Sequence, residues 1–270
     1  MAGFFPSLPH IEDCQKRIRA YVSGVAIAHR GVGLSTLYNI PLRADGIPDR
    51  YYPHYYFLRE DLPVHWYLHL ASSSDDDEVY HIGAGGMNDL LNSVKVHLTG
   101  PLKGLGAIRW NAMDAWFEED EQIFIHPKDP YKRIDVLQSS RHVRIEVGGL
   151  EVADTRSPRL LFETSLPMRI YIPKTDCRMD LWEPSDLITG CPYKGEARYY
   201  NLVTSDGTRR DNLIWWYPNT TPECAAIRGY AAFFDEKVDV WIDGEKQQQP
   251  VTKWSSPSPP VSAPAEKMED

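Results

Sequence analysis

The chain of 270 residues carries 38 acidic against 29 basic side chains, a formal charge of −9, and is 42% hydrophobic with 11% aromatic residues. These proportions exclude a disordered or low-complexity body, and the acidic balance opposes a broad nucleic-acid footprint, which needs clustered Lys and Arg to neutralise phosphate. Its 21 prolines and 18 glycines favour short elements joined by turns over long helices.

At the N-terminus, Met1 to His10 lacks the basic start and apolar run of an export signal. A cytoplasmic protein with reduced thiols is therefore expected. No apolar run approaches the ~20 residues that span a bilayer, so no membrane partner is expected. The cysteines Cys14, Cys177, Cys191 and Cys224 form no CxxC pair, which argues against a zinc ribbon.

An internal repeat organises the rest. Arg19 to Ala28 aligns with Arg144 to Ala153 at a separation of 125 positions, and Gly104, Ala107, Asp114 and Trp116 meet Gly229, Ala232, Asp239 and Trp241 in the same register. Tyr56 to Asp61 matches Tyr171 to Asp176 at 115. The organisation read from this is a first unit at 15–120, a connector at 121–140, a second unit at 141–245 and a disordered Pro/Ser-rich tail at 246–270. In the first unit, Asn88 to Val96 suits a short helix, and the acidic run Asp75 to Glu78 an exposed loop. In the second, Val143 to Val152 alternates around Gly148-Gly149 as a hairpin whose turn needs positive φ. Short strands follow at Leu160 to Phe162, Arg169 to Ile172, Ala197 to Val203, Leu213 to Tyr217 and Val238 to Ile242. Pro222 to Arg228 suits one helical turn capped by Thr221. The fold class is mainly β, two similar small-sheet units packed side by side.

Candidate chemistry concentrates in the second unit. Trp182 to Ala197 reads as a long polar connection with no counterpart in the first unit, and such loops on a β scaffold carry binding groups. Within it, Lys194 beside Tyr193 suits an anionic or carbonyl-bearing ligand, or is an exposed turn lysine. Cys191 is a thiol either activated by a cation or packed beside Pro192. Glu163 ends a strand as a buried acid or a solvated turn residue. Asp176, Arg178 and Asp180 form a charge cluster or a surface salt-bridge set. Trp215-Trp216-Tyr217 is an aromatic wall for a planar ligand, with one ring of the three in the core. His65 and His69 would share a helical face as a metal pair, which Pro63 and the strand-like surroundings oppose.

Taken together, Phe162-Glu163-Thr164, Tyr171-Ile172-Pro173, Glu183-Pro184-Ser185-Asp186, Cys191-Pro192-Tyr193-Lys194-Gly195, Trp216-Tyr217-Pro218 and Ile227 to Phe233 resemble the family catalogued as domain of unknown function 427, and Trp110 to Arg144 resembles the junction of its tandem form. The resemblance implies a β-tent-like domain, similar to that of methionine sulfoxide reductase B without its zinc cysteines, and a nucleotidyltransferase label. The label meets no phosphate cradle here, only loose acid pairs such as Asp176/Asp180 and Asp239/Asp243.

The function expected is a metal-free, cofactor-free enzyme for a small molecule, of lyase, isomerase or cyclase type as in secondary metabolism. Lys194 would polarise a carbonyl, Glu163 or Asp186 would move a proton, and Tyr171, Tyr193, Cys191, Trp216, Tyr217 and Arg178 would bind substrate. His54, Tyr56, His65 and Trp66 of the first unit would complete the wall. Nucleotidyl transfer and a non-enzymatic ligand-binding module are the alternatives, and the oligomeric state is left open, a homodimer included.

Overall fold

The computed structural model describes residues 10–30, 33–37, 53–84, 86, 89–252 and 254–255. The chain is mainly β and divides into two compact units, Met1–Pro130 and Tyr131–Asp270.

The first unit contains β1 (His10–Cys14), β2 (Ile18–Val22), β3 (Val25–Arg30), β4 (Gly33–Leu37), β5 (His54–Leu58), β6 (Leu68–Ser73), β7 (Asp77–Ile82), β8 (Leu90–His97), β9 (Leu105–Ile108), β10 (Ala115–Glu118) and β11 (Glu121–Ile123). They form a seven-stranded sheet, β1-β4-β5-β9-β8-β7-β6, and a four-stranded sheet, β11-β10-β2-β3. The second unit contains β12 (Ile134–Gln138), β13 (Val143–Val147), β14 (Leu150–Thr155), β15 (Arg159–Glu163), β16 (Arg169–Pro173), β17 (Trp182–Cys191), β18 (Gly195–Val203), β19 (Arg209–Thr220), β20 (Tyr230–Phe233), β21 (Asp239–Ile242) and β22 (Glu245–Lys246). Its sheets run β12-β15-β16-β20-β19-β18-β17 and β14-β13-β21-β22, the same order strand for strand.

Alternation explains the layering. In β2 and β13 every second side chain is buried, so each small sheet turns one face to its larger partner. In the second unit this joins Val143, Ile145 and Val240 to Ile170, Ile172, Leu213, Ile214 and Phe233 in one core. Each such aliphatic, taken out of water, contributes about 1.5–3 kcal/mol. The β13–β14 hairpin turns through Gly148 and Gly149 at φ of 60° and 83°, as the sequence requires.

The second unit has an additional apolar layer on the opposite face of its large sheet. Leu161, Tyr171, Trp215, Tyr217 and Ala232 meet Cys224 and Ile227 of the 3-10 helix Pro222–Ile227. That helix begins at Pro222, but Thr221 does not cap it; its hydroxyl donates instead to the Tyr193 carbonyl at 2.6 Å. Among the described residues of the first unit, the corresponding face carries a smaller cluster of Tyr56, Leu102 and Leu105.

Several expectations change. Leu90–His97 is a strand, not a helix, because Val94 and Val96 enter the core on either side of exposed Lys95; Asn88 lies outside the described residues. The connection 182–197 is the β17–β18 hairpin, whose counterpart in the first unit is β6–β7. Asp77 and Glu78 belong to β7, leaving the acidic turn at Ser74 to Asp76. The connector 121–140 is divided, β11 joining the first unit's small sheet and β12 edging the second unit's large sheet. The beginning of the tail is ordered: Gln247 donates its backbone N–H to Val240, Thr252 donates to Glu236 at 2.6 Å, and Trp254 lies against Phe234. Residues 256–270 lie outside the described residues.

One repeat match also shifts. Tyr56 and Tyr171 stand opposite Ala107 and Ala232, in agreement with the sequence alignment. Trp116, however, stands opposite Ala20, and it is Val240 that stands opposite the equivalent Ile145. Trp241 instead carries Arg144 over its ring at 5.2 Å, as Phe117 carries Arg19 at 5.1 Å. A one-residue slip moves a side chain to the other face of a sheet, so the two tryptophans are not counterparts.

Candidate functional site

Glu163 is the last residue of β15, and its side chain is only 4% exposed. A carboxylate so deeply buried needs a cation, and two converge on it. Lys194 Nζ pairs with one carboxylate oxygen, and Lys132 Nζ lies 3.1 Å from the other. Lys194 is held by the turn Pro192 to Lys194 between β17 and β18, which is tied to the 3-10 helix by the Thr221 N–H donating to the Lys194 carbonyl at 3.2 Å. The glycine after it is required: Gly195 has φ of +109°, and a Cβ there would lie 2.3 Å from the Asn219 carbonyl oxygen. Lys132 precedes β12 and lies 5.3 Å above the Tyr193 ring.

Beside this ionic group lies the aromatic layer. Tyr171 is buried, its hydroxyl oxygen accepting the Trp215 indole N–H at 3.2 Å and its ring 6.5 Å from Tyr217. Burial pushes both phenols well above their usual pKa, so they stay neutral and act as donors or acceptors. Cys224 is fully buried; burial raises its pKa, which Lys194 and Cys191 are close enough to influence. Glu163, Tyr171, Tyr217 and the turn residues Cys191, Tyr193 and Lys194 thus come from four separate stretches into one neighbourhood. With Lys132 the ionic group holds two cations and one anion, an excess of one positive charge.

Within the second unit, three other sequence-predicted residues stand apart. Asp186 is exposed in a bulge of β17 and makes no hydrogen bond or ion pair with this group. Arg178 is exposed and donates two hydrogen bonds to Asp180, at 2.8 and 2.6 Å. Trp216 alternates with Trp215 and Tyr217 and so points to the other face; there it carries Lys174 Nζ 3.2 Å above its ring centroid and stacks with Tyr200. Desolvation lowers the Lys174 amine to about 8. In the first unit His54, His65 and Trp66 are exposed, Trp66 by 80%, and Tyr56 is buried. His65 lies in the turn before β6 and His69 within the strand, where it pairs with Asp89 at 3.1 Å, so no helix aligns them. The acids considered for nucleotidyl transfer are separately engaged: Asp176 accepts from Thr155, Asp180 pairs with Arg178, Asp239 with Lys246 and Asp243 with Arg141.

Residues 135–244 match the family model described as a domain of unknown function, DUF427. The second unit belongs to the DUF427 family. The match spans Glu163, Tyr171, Cys191, Lys194 and Tyr217 of the DUF427 unit, whereas Lys132, the second cation on Glu163, precedes it. No curated protein matches the chain. Among the described residues, no helix is long and apolar enough to cross a membrane.

Sequence reasoning missed Lys132, because a lone lysine in a connector carries no local signal. It also passed over Arg169, Asp235 and Glu236, a buried ionic triad: the Arg169 guanidinium donates to Glu236 at 2.9 Å and to Asp235 at 3.4 Å. The available signal was the presence of charges inside the apolar runs of β16 and of the segment after β20.

Proposed function

We propose that the DUF427 unit acts on a small organic anion by acid/base chemistry at Glu163, Lys194 and Lys132, in a reaction of lyase, isomerase or cyclase type. The observation that carries this reading is the convergence of two lysines on one buried carboxylate, which leaves a positive charge to be balanced beside a neutral aromatic floor. Lys132, at 27% side-chain exposure the more accessible cation, releases Glu163 to admit the substrate. Glu163 then takes a proton from a carbon next to a carbonyl, and the electron pair of the broken C–H bond moves onto the carbonyl oxygen. The Lys194 ammonium donates a hydrogen bond to that oxygen as its charge grows, the interaction that lowers the barrier. Return of the proton, or loss of a leaving group, completes the turnover.

The test is proton exchange in D2O, followed by NMR, over a panel of small 2-oxo and 3-oxo acids. Wild-type protein is expected to exchange the α-protons of at least one member, and Glu163→Gln and Lys194→Ala to slow that exchange by about 100-fold or more. Exchange unaffected by both substitutions overturns the assignment, and tight binding without exchange identifies a ligand-binding module instead.

A further inference from the structure

The DUF427 unit holds a second ionic group whose charge balance is the reverse of the first. Arg169 faces both Asp235 and Glu236, one cation against two acids. The guanidinium lies 5.7 Å from the Trp215 ring and 5.4 Å from the Trp254 ring, and Thr252 donates to Glu236. Asp235 is left incomplete: its side chain is nine-tenths buried, and among the described residues none donates to Oδ1. A buried, half-satisfied carboxylate is costly unless something donates to it.

Asp235 lines a cavity of about 190 Å³ whose other walls include Met168, Ile170, Val238, Val240 and the strap 247–250. The first unit shows why this space is open. Its Arg109 and Ala112 repeat the backbone hydrogen bonds of Phe234 and Lys237, which makes Trp110 the counterpart of Asp235. Strand register makes Trp116 the counterpart of Val240. In the first unit those two indoles stack at 4.7 Å and 2° and fill the place; in the second, an acid and a valine leave it vacant. A dry cavity of roughly 150 Å³ admits a benzene ring.

We propose that this cavity binds a small ring-bearing amine, its ring between Met168, Ile170 and Val240 and its ammonium donating to the Asp235 carboxylate. The ring replaces the indole area that the first unit supplies from its own chain, and the ammonium neutralises the excess negative charge of the triad. The strap, which lies just past the DUF427 match, closes the site through the Gln247 N–H to Val240 and the Gln249 side chain to Val238 at 2.9 Å. Burial raises the Asp235 carboxyl to about 7, with Arg169 and Glu236 the charged groups that act on it. Ammonium binding therefore competes with a proton and strengthens as the pH rises through that value.

Calorimetric titration of the full chain with benzylamine and with benzyl alcohol tests this. Near pH 8.5 the amine is expected to bind at least about tenfold more tightly than the alcohol, and at about pH 6 roughly tenfold more weakly than at pH 8.5. Asp235→Asn and Val240→Trp are each expected to weaken the amine by about tenfold or more, the latter by restoring the indole of the first unit. Should either variant fail to fold, the methyl resonance of Met168 in the wild-type chain must still shift on adding benzylamine. Equal binding of amine and alcohol, no binding of the amine, undiminished binding to a folded Val240→Trp, or an unmoved Met168 methyl overturns the proposal.

Discussion

The two units share one strand order yet treat charge in opposite ways. Where the first unit has exposed His54 on β5, the second has Arg169 buried against two acids. Where the first stacks Trp110 on Trp116, the second places Asp235 and Val240 around a cavity. The tip of the β6–β7 hairpin is the acidic turn Ser74 to Asp76, and the tip of β17–β18 presents Lys194 to Glu163. Asp77 of the first unit pairs with Lys95 and His97 at 2.8 Å, but half-exposed, at the sheet surface. The strand frame is thus carried by the alternating apolar positions, which both units fill, and buried ionisable groups are an addition to it. Such groups reduce stability unless each is paired, and among the described residues the buried carboxylates and the buried arginine, Glu163, Asp235, Glu236 and Arg169, all lie in the second unit.

The largest separation between the units is expected at the paired positions 54 and 169. Arg169→Met leaves Asp235 and Glu236 buried without a cation and is expected to destabilise the second unit by about 3–5 kcal/mol. His54→Ala at the matching exposed site should stay within about 0.5 kcal/mol. Urea denaturation of each variant checks both, and similar losses at the two sites would break the comparison.

A second difference is pH dependence. The folded-state pKa of Asp235 lies near 7, above the ordinary carboxylate value, so its ionisation opposes folding. Its stabilising contribution is complete below about pH 4 and is lost as the pH rises through about 7, a change on the order of a few kcal/mol. Urea midpoints measured across that range should fall in the wild-type chain and fall less in Asp235→Asn.

A smaller contrast distinguishes two glycines within the second unit. Gly149 has φ of +83° with no atom near its absent Cβ, whereas Gly195 combines φ of +109° with the Asn219 carbonyl at 2.3 Å. Gly149→Ala is expected to cost about 1 kcal/mol, and Gly195→Ala about 1–3 kcal/mol, with displacement of Lys194 from Glu163. Thermal melts rank the two, and an amide-shift map of the turn at 192–195 reports the displacement.

Much of the frame was legible in the chain itself. The repeat, the Gly148-Gly149 hairpin and the short strands of the second unit follow from period-two patterning and turn residues, which act over a few positions. What failed locally failed for an identifiable reason. Leu90–His97 contains the spacing of a helix, but its extended partners β7 and β9 decide the matter. The stretch 182–191 lacks alternation because most of its side chains are exposed on an edge strand. Of the candidate site, Glu163, Lys194, Tyr171, Tyr193, Cys191 and Tyr217 were named from the sequence and lie together. Asp186, Arg178 and Trp216 were named with them and do not: Trp216 takes the other face of β19, Asp186 is exposed in the bulge of β17, and Arg178 pairs with Asp180 outside the strands.

The sequence by itself determined the strand composition, the doubled frame and the identity of the polar residues in the second unit. Only the tertiary structure decided which of those residues meet. Glu163 finds Lys132 and Lys194 from either side, 31 residues apart in each case, and Asp235 finds its cavity because Val240 stands one register step from Trp241. The physical reason is that local patterning records only which side chains leave water. The balance of charge at a buried site depends on distant strands, and that balance exists only after the sheets have paired.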